Sequence, residues 1–144
     1  MKADDTKKLI LDTSVLLKWL INEPEDLEQA NHLRALFLKG EVDIKILALT
    51  VWEVNNQLGR IYDPNAAAGL FSHFQMYKIP QAILKTSDCL MAFHIMKKCP
   101  GVSFYDASYH AVALQESAGF LTADKKYYDK AKKLGHILLL KDYH

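Results

Sequence analysis

The sequence predicts an α/β protein: a three-layer α/β/α arrangement with a mostly parallel central sheet and helices on both faces. Short apolar runs alternate along the chain with longer segments whose apolar residues recur at helical spacing. Alternation of strands and helices is typical of a parallel sheet. The chain has 144 residues, half of them hydrophobic, which suits one globular domain with one core. We therefore expect a single domain over residues 1–144.

The first third of the chain is predicted to contain two strands and two helices. The predicted elements are a strand over residues 8–11, helices over residues 13–21 and 25–39, and a strand over residues 44–49. Pro24 separates the two helices, because proline ends a helix that precedes it. Gly40 suits the end of the second helix, since glycine readily adopts the left-handed conformation found there.

The middle of the chain is predicted to be mostly helical. The predicted elements are helices over residues 50–61 and 63–77, a strand over residues 79–84, and a helix over residues 87–98. Thr50 and Glu53 have the spacing of a capping box. Pro80 favours an edge position for the strand, because proline cannot donate a hydrogen bond to a neighbouring strand.

The last third of the chain returns to the alternating pattern. The predicted elements are a helix over residues 105–118, a strand over residues 120–122, a helix over residues 124–134, and a strand over residues 136–140. In open parallel sheets, ligands bind at the carboxyl ends of the strands. That edge is where functional residues are expected.

Composition restricts the cellular setting more than the activity. The net charge is +1, so any surface that binds nucleic acid would be a local patch. Cys89 and Cys99 lie in an apolar, Met-rich segment and are expected to be reduced thiols. The apolar run near the N-terminus is too short for a signal peptide or a membrane span. We expect a cytoplasmic protein with no membrane segment.

Four acidic residues stand at the ends of apolar runs, or at the start of the helices that follow them. They are Asp12, Glu53, Asp106 and Asp124. Each has a structural interpretation alone, as a helix cap or as a first-turn acid that interacts with the helix dipole. Together they would lie on one edge of the sheet, where carboxylates repel each other unless a cation lies among them. Oxygen ligands favour Mg²⁺ or Mn²⁺, and such a site suits phosphodiester hydrolysis.

The segments around these acids resemble the four signature segments of the PIN domain, and within it the toxins of VapBC toxin–antitoxin pairs. The segments are Leu9-Ile10-Leu11-Asp12-Thr13-Ser14-Val15, Glu53-Val54-Asn55-Asn56, Tyr105-Asp106-Ala107 and Leu121-Thr122-Ala123-Asp124. The resemblance runs from Leu9 to about Leu140 and implies a PIN-like fold. It also implies an endoribonuclease that depends on Mg²⁺ or Mn²⁺, cleaves RNA, forms a homodimer and is inhibited by a small antitoxin protein.

The resemblance also assigns roles to individual residues. Asp12 and Asp106 would be the principal metal ligands and catalytic residues. Glu53 and Asp124 would complete the acidic pocket, directly or through water. Three hydroxyl residues, Thr13, Ser14 and Thr122, would orient the carboxylates. Trp52 and the long Met- and aromatic-rich spacer depart from the family pattern, which bears on substrate and partner.

Other polar features have both functional and structural interpretations. The lysines of the last helix (Lys125, Lys126, Lys130, Lys132 and Lys133) could steer RNA, but charge on a helix face usually solvates it, and we favour that interpretation. Lys18 and Arg60 could touch phosphate. His110 could shuttle protons, although a histidine at such a position more often simply fills a half-buried place in the structure. The aromatic stretch over residues 70–77 fits core packing, a dimer surface or an antitoxin groove.

Three other classes of function also gather acids at strand ends. A receiver-type phosphotransfer module requires a lysine after a suitable strand, and none is present. A haloacid-dehalogenase-like phosphatase requires a second Asp two residues after the first, where Ser14 stands. A non-catalytic PIN-like scaffold or RNA-binding interaction protein is the strongest alternative. Such a scaffold typically lacks some of the acids, whereas here all four positions are filled.

Overall fold

Five parallel strands form the central sheet of the protein, in the order β3-β2-β1-β4-β5. The computed structural model describes residues 7–144. The strands are β1 (Lys8–Leu11), β2 (Asp43–Leu47), β3 (Gln81–Ala82), β4 (Gly119–Thr122) and β5 (Ile137–Leu139). Every pairing in the sheet is parallel, so the α/β/α prediction with a parallel sheet is confirmed.

In residues 7–144, seven α-helices cover the sheet. They are α1 (Thr13–Leu20), α2 (Leu27–Leu38), α3 (Ala48–Ile61), α4 (Pro64–Met76), α5 (Thr86–Lys98), α6 (Phe104–Gln115) and α7 (Lys125–Ala131). Short 3₁₀ turns over Lys132–Leu134 and Leu140–Asp142 follow α7 and β5. In residues 7–144 no helix is long and apolar enough to cross a membrane.

Alternate residues of β1 and β4 pack into two separate cores, one on each face of the sheet. Ile10 and Phe120 lie in the core formed with α5, α6 and α7. Leu9, Leu11 and Leu121 lie in the core formed with α1, α2 and the C-terminal turn. This alternation follows from the two-residue period of a strand. Because both faces are covered, the central strands are apolar throughout.

Several predicted boundaries are wrong, and local backbone chemistry explains the larger differences. Helix α3 begins at Ala48, and Thr50 is its third residue, where its hydroxyl accepts a hydrogen bond from the Leu47 N–H at 3.1 Å. The capping box predicted for Thr50 and Glu53 is therefore absent, and Glu53 is left for other contacts. Helix α6 ends at Gln115 because Ser117 has a φ of +54°, which a helix cannot contain.

Candidate functional site

Asp12 lies at the junction of β1 and α1, where it caps the helix. Its Oδ1 accepts hydrogen bonds from the backbone N–H of Ser14, at 3.1 Å, and from the Ser14 hydroxyl. Its Oδ2 accepts one from the Thr122 hydroxyl at 2.5 Å. One carboxylate therefore both caps α1 and contacts the end of β4 through Thr122.

Asp124 lies beside Asp12 because β1 and β4 are neighbours in the sheet. It caps α7, with its Oδ1 accepting from the Tyr127 N–H at 3.1 Å. The Thr122 hydroxyl that donates to Asp12 accepts from the Asp124 N–H at 3.0 Å. The Ser14 hydroxyl similarly accepts from the Ala123 N–H at 2.9 Å. Two hydroxyls thus tie the end of β1 to the end of β4.

Glu53 extends from the second turn of α3, the helix that follows β2. Its Oε1 accepts hydrogen bonds from the Thr13 hydroxyl at 2.9 Å and from the Tyr109 hydroxyl at 2.8 Å. The Tyr109 oxygen also lies 2.9 Å from the Thr50 hydroxyl. Since Tyr109 donates to Glu53, it accepts from Thr50. These hydroxyls hold one oxygen of Glu53 and leave Oε2 without a protein hydrogen bond in residues 7–144.

Asp106 lies in the first turn of α6, which follows α5 in the chain without an intervening strand. The hydroxyl of Ser103 caps this helix and accepts from the Asp106 N–H at 3.1 Å. The Asp106 side chain is exposed, and its carboxylate has no hydrogen bond from residues 7–144. Among the four acids it is the one whose oxygens are most available to a ligand.

The four acids are close enough to influence one another's protonation. Burial, with a smaller contribution from the charge of Asp124, raises the pKa of Asp12 to about 6, against the hydrogen bonds from Ser14 and Thr122. Burial of the carboxyl group also raises the pKa of Asp106, and the charges of Asp124 and Glu53 add to the rise. The structure thus brings all four predicted residues to one edge of the sheet.

The acids form an all-oxygen site that fits a hydrated divalent cation better than a bare one. Within residues 7–144, no three carboxylate, imidazole or thiol groups lie close enough together to hold a metal ion by themselves. Mg²⁺ commonly keeps several water ligands and binds proteins through one or two carboxylates. Burial is the main cause of the raised pKa values of Asp12 and Asp106, and the charges of neighbouring acids add to it. A bound cation would favour the ionised form of both carboxyl groups.

A small pocket of about 150 Å³ opens beside Asp106 and Asp124, and two lysines of α7 line it together with these acids. The lysines are Lys126 and Lys130, and Gly101 also lines the pocket. We call it the acid–lysine pocket. The sequence did not distinguish these two lysines from the other three of the last helix. Their four-residue spacing, which places both on one helix face, was the available signal.

The other polar candidates lie in structural positions. His110 is fully buried, with its Nδ1 2.8 Å from the Tyr127 hydroxyl and its Nε2 2.8 Å from the Gly135 carbonyl. Lys18 is buried, and its ammonium donates to the Glu25 carbonyl at 2.9 Å. Cys89 and Cys99 are free thiols. Tyr109, which sequence reasoning missed, lies three residues after Asp106 and contacts the site through Glu53.

Comparison with known proteins agrees with this fold. The PIN domain family model matches residues 9–133. No curated protein sequence matches the chain. Solved structures that resemble it share little sequence, so the likeness by itself shows only the fold.

Three of these solved structures come from bacterial complexes. VapBC2 from Rickettsia felis, bound to a promoter DNA fragment, is 12% identical with a TM-score of 0.69, covering 92% of this chain and 96% of that one. FitAcB from Neisseria gonorrhoeae is 18% identical, with a TM-score of 0.67 and coverage of 91% and 95%. A toxin–antitoxin complex from Klebsiella pneumoniae is 12% identical, with a TM-score of 0.66 and coverage of 92% and 97%. The family match over most of the chain, with the four acids at one edge of its sheet, shows that the protein belongs to the PIN domain family.

Proposed function

We propose that this protein is an endoribonuclease that depends on Mg²⁺ or Mn²⁺ and acts in the cytoplasm as the toxin of a toxin–antitoxin pair. The observation that carries the proposal is the convergence of four carboxylates in a PIN domain, with Asp12 and Asp124 joined through the Thr122 hydroxyl. The structural resemblance to VapBC, FitAcB and toxin–antitoxin complexes supports the toxin role.

We assign the four acids two different roles in binding a cation. Asp12 and Asp106 are the proposed direct ligands, and Glu53 and Asp124 complete the pocket directly or through water. Asp12 suits a fixed ligand because both of its oxygens are already oriented by hydrogen bonds. Asp106 suits a ligand that adapts to the incoming ion, because it is exposed and its carboxylate has no hydrogen bond from the described residues.

Hydrolysis of a phosphodiester bond requires a nucleophile and a neutralised phosphate. A bound Mg²⁺ or Mn²⁺ supplies both, by lowering the pKa of water and by offsetting phosphate charge. The protein orients the participants: Thr13 and Tyr109 fix Glu53, while Ser14 and Thr122 fix Asp12. The free Oε2 of Glu53 is the proposed acceptor that orients the attacking water.

The nuclease proposal is tested with purified wild type, Asp12→Asn and Asp106→Asn on total RNA with added Mg²⁺ or Mn²⁺. We expect wild-type cleavage that EDTA stops. Each variant should be slower by roughly 100-fold or more, because a lost metal ligand costs several kcal/mol of transition-state stabilisation. Asp43→Asn is the matched control, since Asp43 is exposed at the first residue of β2, whereas the acids lie beyond the carboxyl ends of the strands. Equal cleavage by all four proteins would overturn the catalytic assignment and favour a contaminant or a scaffold.

An antitoxin requires a docking surface, and a groove beside α4 is the proposed one. The groove has a volume of about 260 Å³, and its apolar lining includes Val51, Phe71, Phe74 and Ile79. It contains part of the aromatic stretch noted in the sequence, with Phe74 buried and Phe71 partly buried. An apolar segment of a small partner protein would be buried here.

The partner proposal is tested by co-expressing the chain with the small protein encoded beside its gene. We expect growth inhibition by the chain alone, relief on co-expression, and co-purification of the two proteins. Phe71→Glu should abolish co-purification, whereas Ser72→Glu, on the exposed side of the same helix, should not. Absence of growth inhibition together with no co-purified partner would contradict the toxin role.

A further inference from the structure

The five lysines of the last helical segment do not share one environment. The Lys125 ammonium lies 2.7 Å from the Asp129 carboxylate, and the Lys132 ammonium lies 6.0 Å from the centre of the Tyr128 ring. Lys126 and Lys130 instead line the acid–lysine pocket together with Asp106 and Asp124. Since they are four residues apart, they occupy the same face of α7.

The two pocket lysines keep their positive charges uncompensated by a direct ion pair. Three ion pairs occur within residues 7–144, and their cations are Lys18, Lys45 and Lys125. Lys130 lines the same pocket as Asp106, yet its ammonium lies more than 4.0 Å from any described carboxylate. A β-carbon added at Gly101 would lie 3.3 Å from the Lys130 ammonium. The Lys130 ammonium therefore lies beside Gly101 at the pocket wall, without a carboxylate partner.

A ligand for this pocket must satisfy charges of both signs. An isolated anion would be attracted by the lysines and repelled by Asp106 and Asp124, while an isolated cation would experience the reverse. A phosphodiester chain beside a divalent cation satisfies both halves, with the cation at the acids and phosphate oxygens at the lysines. Lysine is a compact point charge that suits phosphate oxygens and does not by itself read bases.

We propose that Lys126 and Lys130 form a subsite for the sugar–phosphate backbone of the RNA strand, holding a phosphate next to the one at the acids. The inference rests on the proposed nuclease function and adds the path of the strand, which follows the pocket face of α7. The same ammonium groups repel a divalent cation when RNA is absent. Each lysine therefore favours RNA binding and opposes metal binding.

The RNA half of the proposal is tested by binding without cleavage. In an Asp12→Asn background, we would compare Lys126→Ala, Lys130→Ala and Lys133→Ala by fluorescence anisotropy with a labelled single-stranded RNA over a NaCl series. Each pocket variant should weaken binding several-fold at low salt. It should also reduce the slope of log Kd against log salt by roughly 0.7, the value for one phosphate contact on a single strand.

Lys133→Ala is the matched control, because it removes the same charge from an exposed lysine that does not line the pocket. We expect its slope to equal that of the parent protein. Equal slope changes in all three variants would overturn the subsite and indicate general charge attraction, and unchanged slopes in the pocket variants would also overturn it. Displacement of the RNA by inorganic phosphate at constant ionic strength would overturn a strand subsite and indicate a site for free phosphate.

Removal of a pocket lysine should strengthen metal binding, although it weakens RNA binding. Without RNA, Lys130→Ala in the otherwise wild-type protein should bind Mn²⁺ about two- to three-fold more tightly by calorimetry, since a nearby positive charge is removed. Lys133→Ala should match the wild type. Weaker Mn²⁺ binding by Lys130→Ala would overturn the placement and indicate damage to the fold.

Failure of this inference is distinguishable from failure of the nuclease proposal. RNA cleavage by the wild type with unchanged salt slopes in the pocket variants would leave the nuclease intact and remove the subsite. The expected slopes with no cleavage by the wild type would support the subsite in an RNA-binding protein and remove the nuclease.

Discussion

Glu53 receives both of its hydrogen bonds on Oε1, from the hydroxyls of Thr13 and Tyr109. Asp12 receives hydrogen bonds on both oxygens, from Ser14 and Thr122. Hydroxyl groups can orient a carboxylate without adding charge to a site that already holds four acids. Partners of this kind around metal ligands typically affect affinity or activity by about 10- to 100-fold.

Tyr109→Phe should slow RNA cleavage by roughly 10-fold or more, because it removes one of the two hydrogen bonds to the Glu53 carboxylate while keeping the stacked contact between ring 109 and Phe120. The free energy of unfolding should fall by only about 1 kcal/mol, the cost of leaving the buried Thr50 hydroxyl without an acceptor. Cleavage kinetics and urea denaturation measure the two effects.

The matched control for Tyr109→Phe is Trp19→Phe, which removes a buried N–H bonded to the Ala30 carbonyl in the core on the other face of the sheet. It should cost at least as much stability and leave the cleavage rate largely unchanged. A similar loss of activity in both variants would show that loosening of the fold, and not the contact with Glu53, is responsible.

The raised pKa of Asp12 predicts a pH dependence of stability in the metal-free protein. The folded value is about 6 and the ordinary value is 3.8, so the protonated form is favoured by folding. This contribution is fully present below pH 3.8 and is lost as the pH rises through 6. Relative to Asp12→Asn, which does not titrate there, the wild type should lose about 1 kcal/mol of stability between pH 5 and pH 7.

Urea denaturation of both proteins in EDTA at several pH values measures this difference. Excess Mg²⁺ should reduce the loss for the wild type, because a bound cation favours the ionised carboxylate. A difference between the two proteins that stays constant from pH 5 to pH 7 would contradict the burial of a titrating Asp12.

At the scale of elements, α6 connects the site to the core. Its first turn carries Asp106 on an exposed face, whereas Tyr109 and His110 are buried one turn later. His110 packs against Phe120 of β4 and bonds both Tyr127 of α7 and the turn before β5. These buried residues therefore anchor in the core the same helix that carries the exposed Asp106.

His110→Ala should lower the free energy of unfolding by about 2–4 kcal/mol, because it creates a cavity and leaves the Tyr127 hydroxyl and the Gly135 carbonyl without their partner. The cleavage rate at a temperature where the variant stays folded should remain within about two-fold of the wild type. His94→Ala, at an exposed position of α5, should change neither quantity appreciably. A large loss of activity in folded His110→Ala would assign the imidazole a role in the reaction.

At the scale of the whole molecule, one surface is rich in exposed apolar side chains. Leu90 and Phe93 lie on one face of α5 and are 56% and 53% exposed, and Ile83 just before the helix is 85% exposed. Exposed apolar side chains grouped in this way mark interaction surfaces more often than isolated ones do. We therefore place the proposed homodimer interface on the α5 face.

Phe93→Glu should convert the dimer to a monomer, because it puts a charge into an apolar interface. Size-exclusion chromatography with light scattering measures the mass. Leu38→Glu is the matched control, since Leu38 is 66% exposed at the end of α2, away from α5, and this variant should remain dimeric. A monomeric wild type, or a dimeric Phe93→Glu, would contradict this interface.

The sequence by itself determined the fold class and the candidate residues of the site. Alternating strand and helix periods are local properties of the chain, and acids at the ends of apolar runs can be read directly from it. Boundaries were less predictable, because contacts such as the one between the Thr50 hydroxyl and the Leu47 N–H decide where a helix begins.

Only the tertiary structure decided which side chains meet at the site. The Thr122–Asp12 bond joins residues 110 positions apart, and the Tyr109–Glu53 bond joins residues 56 apart. Both depend on the strand order β3-β2-β1-β4-β5 and on how α6 packs against β1 and β4, which no local period specifies. The same packing turns Lys126 and Lys130 towards Asp106 and Asp124, whereas the Lys125–Asp129 pair is a local contact within α7. Helical spacing grouped the lysines by face, but long-range packing determined which face meets the acids.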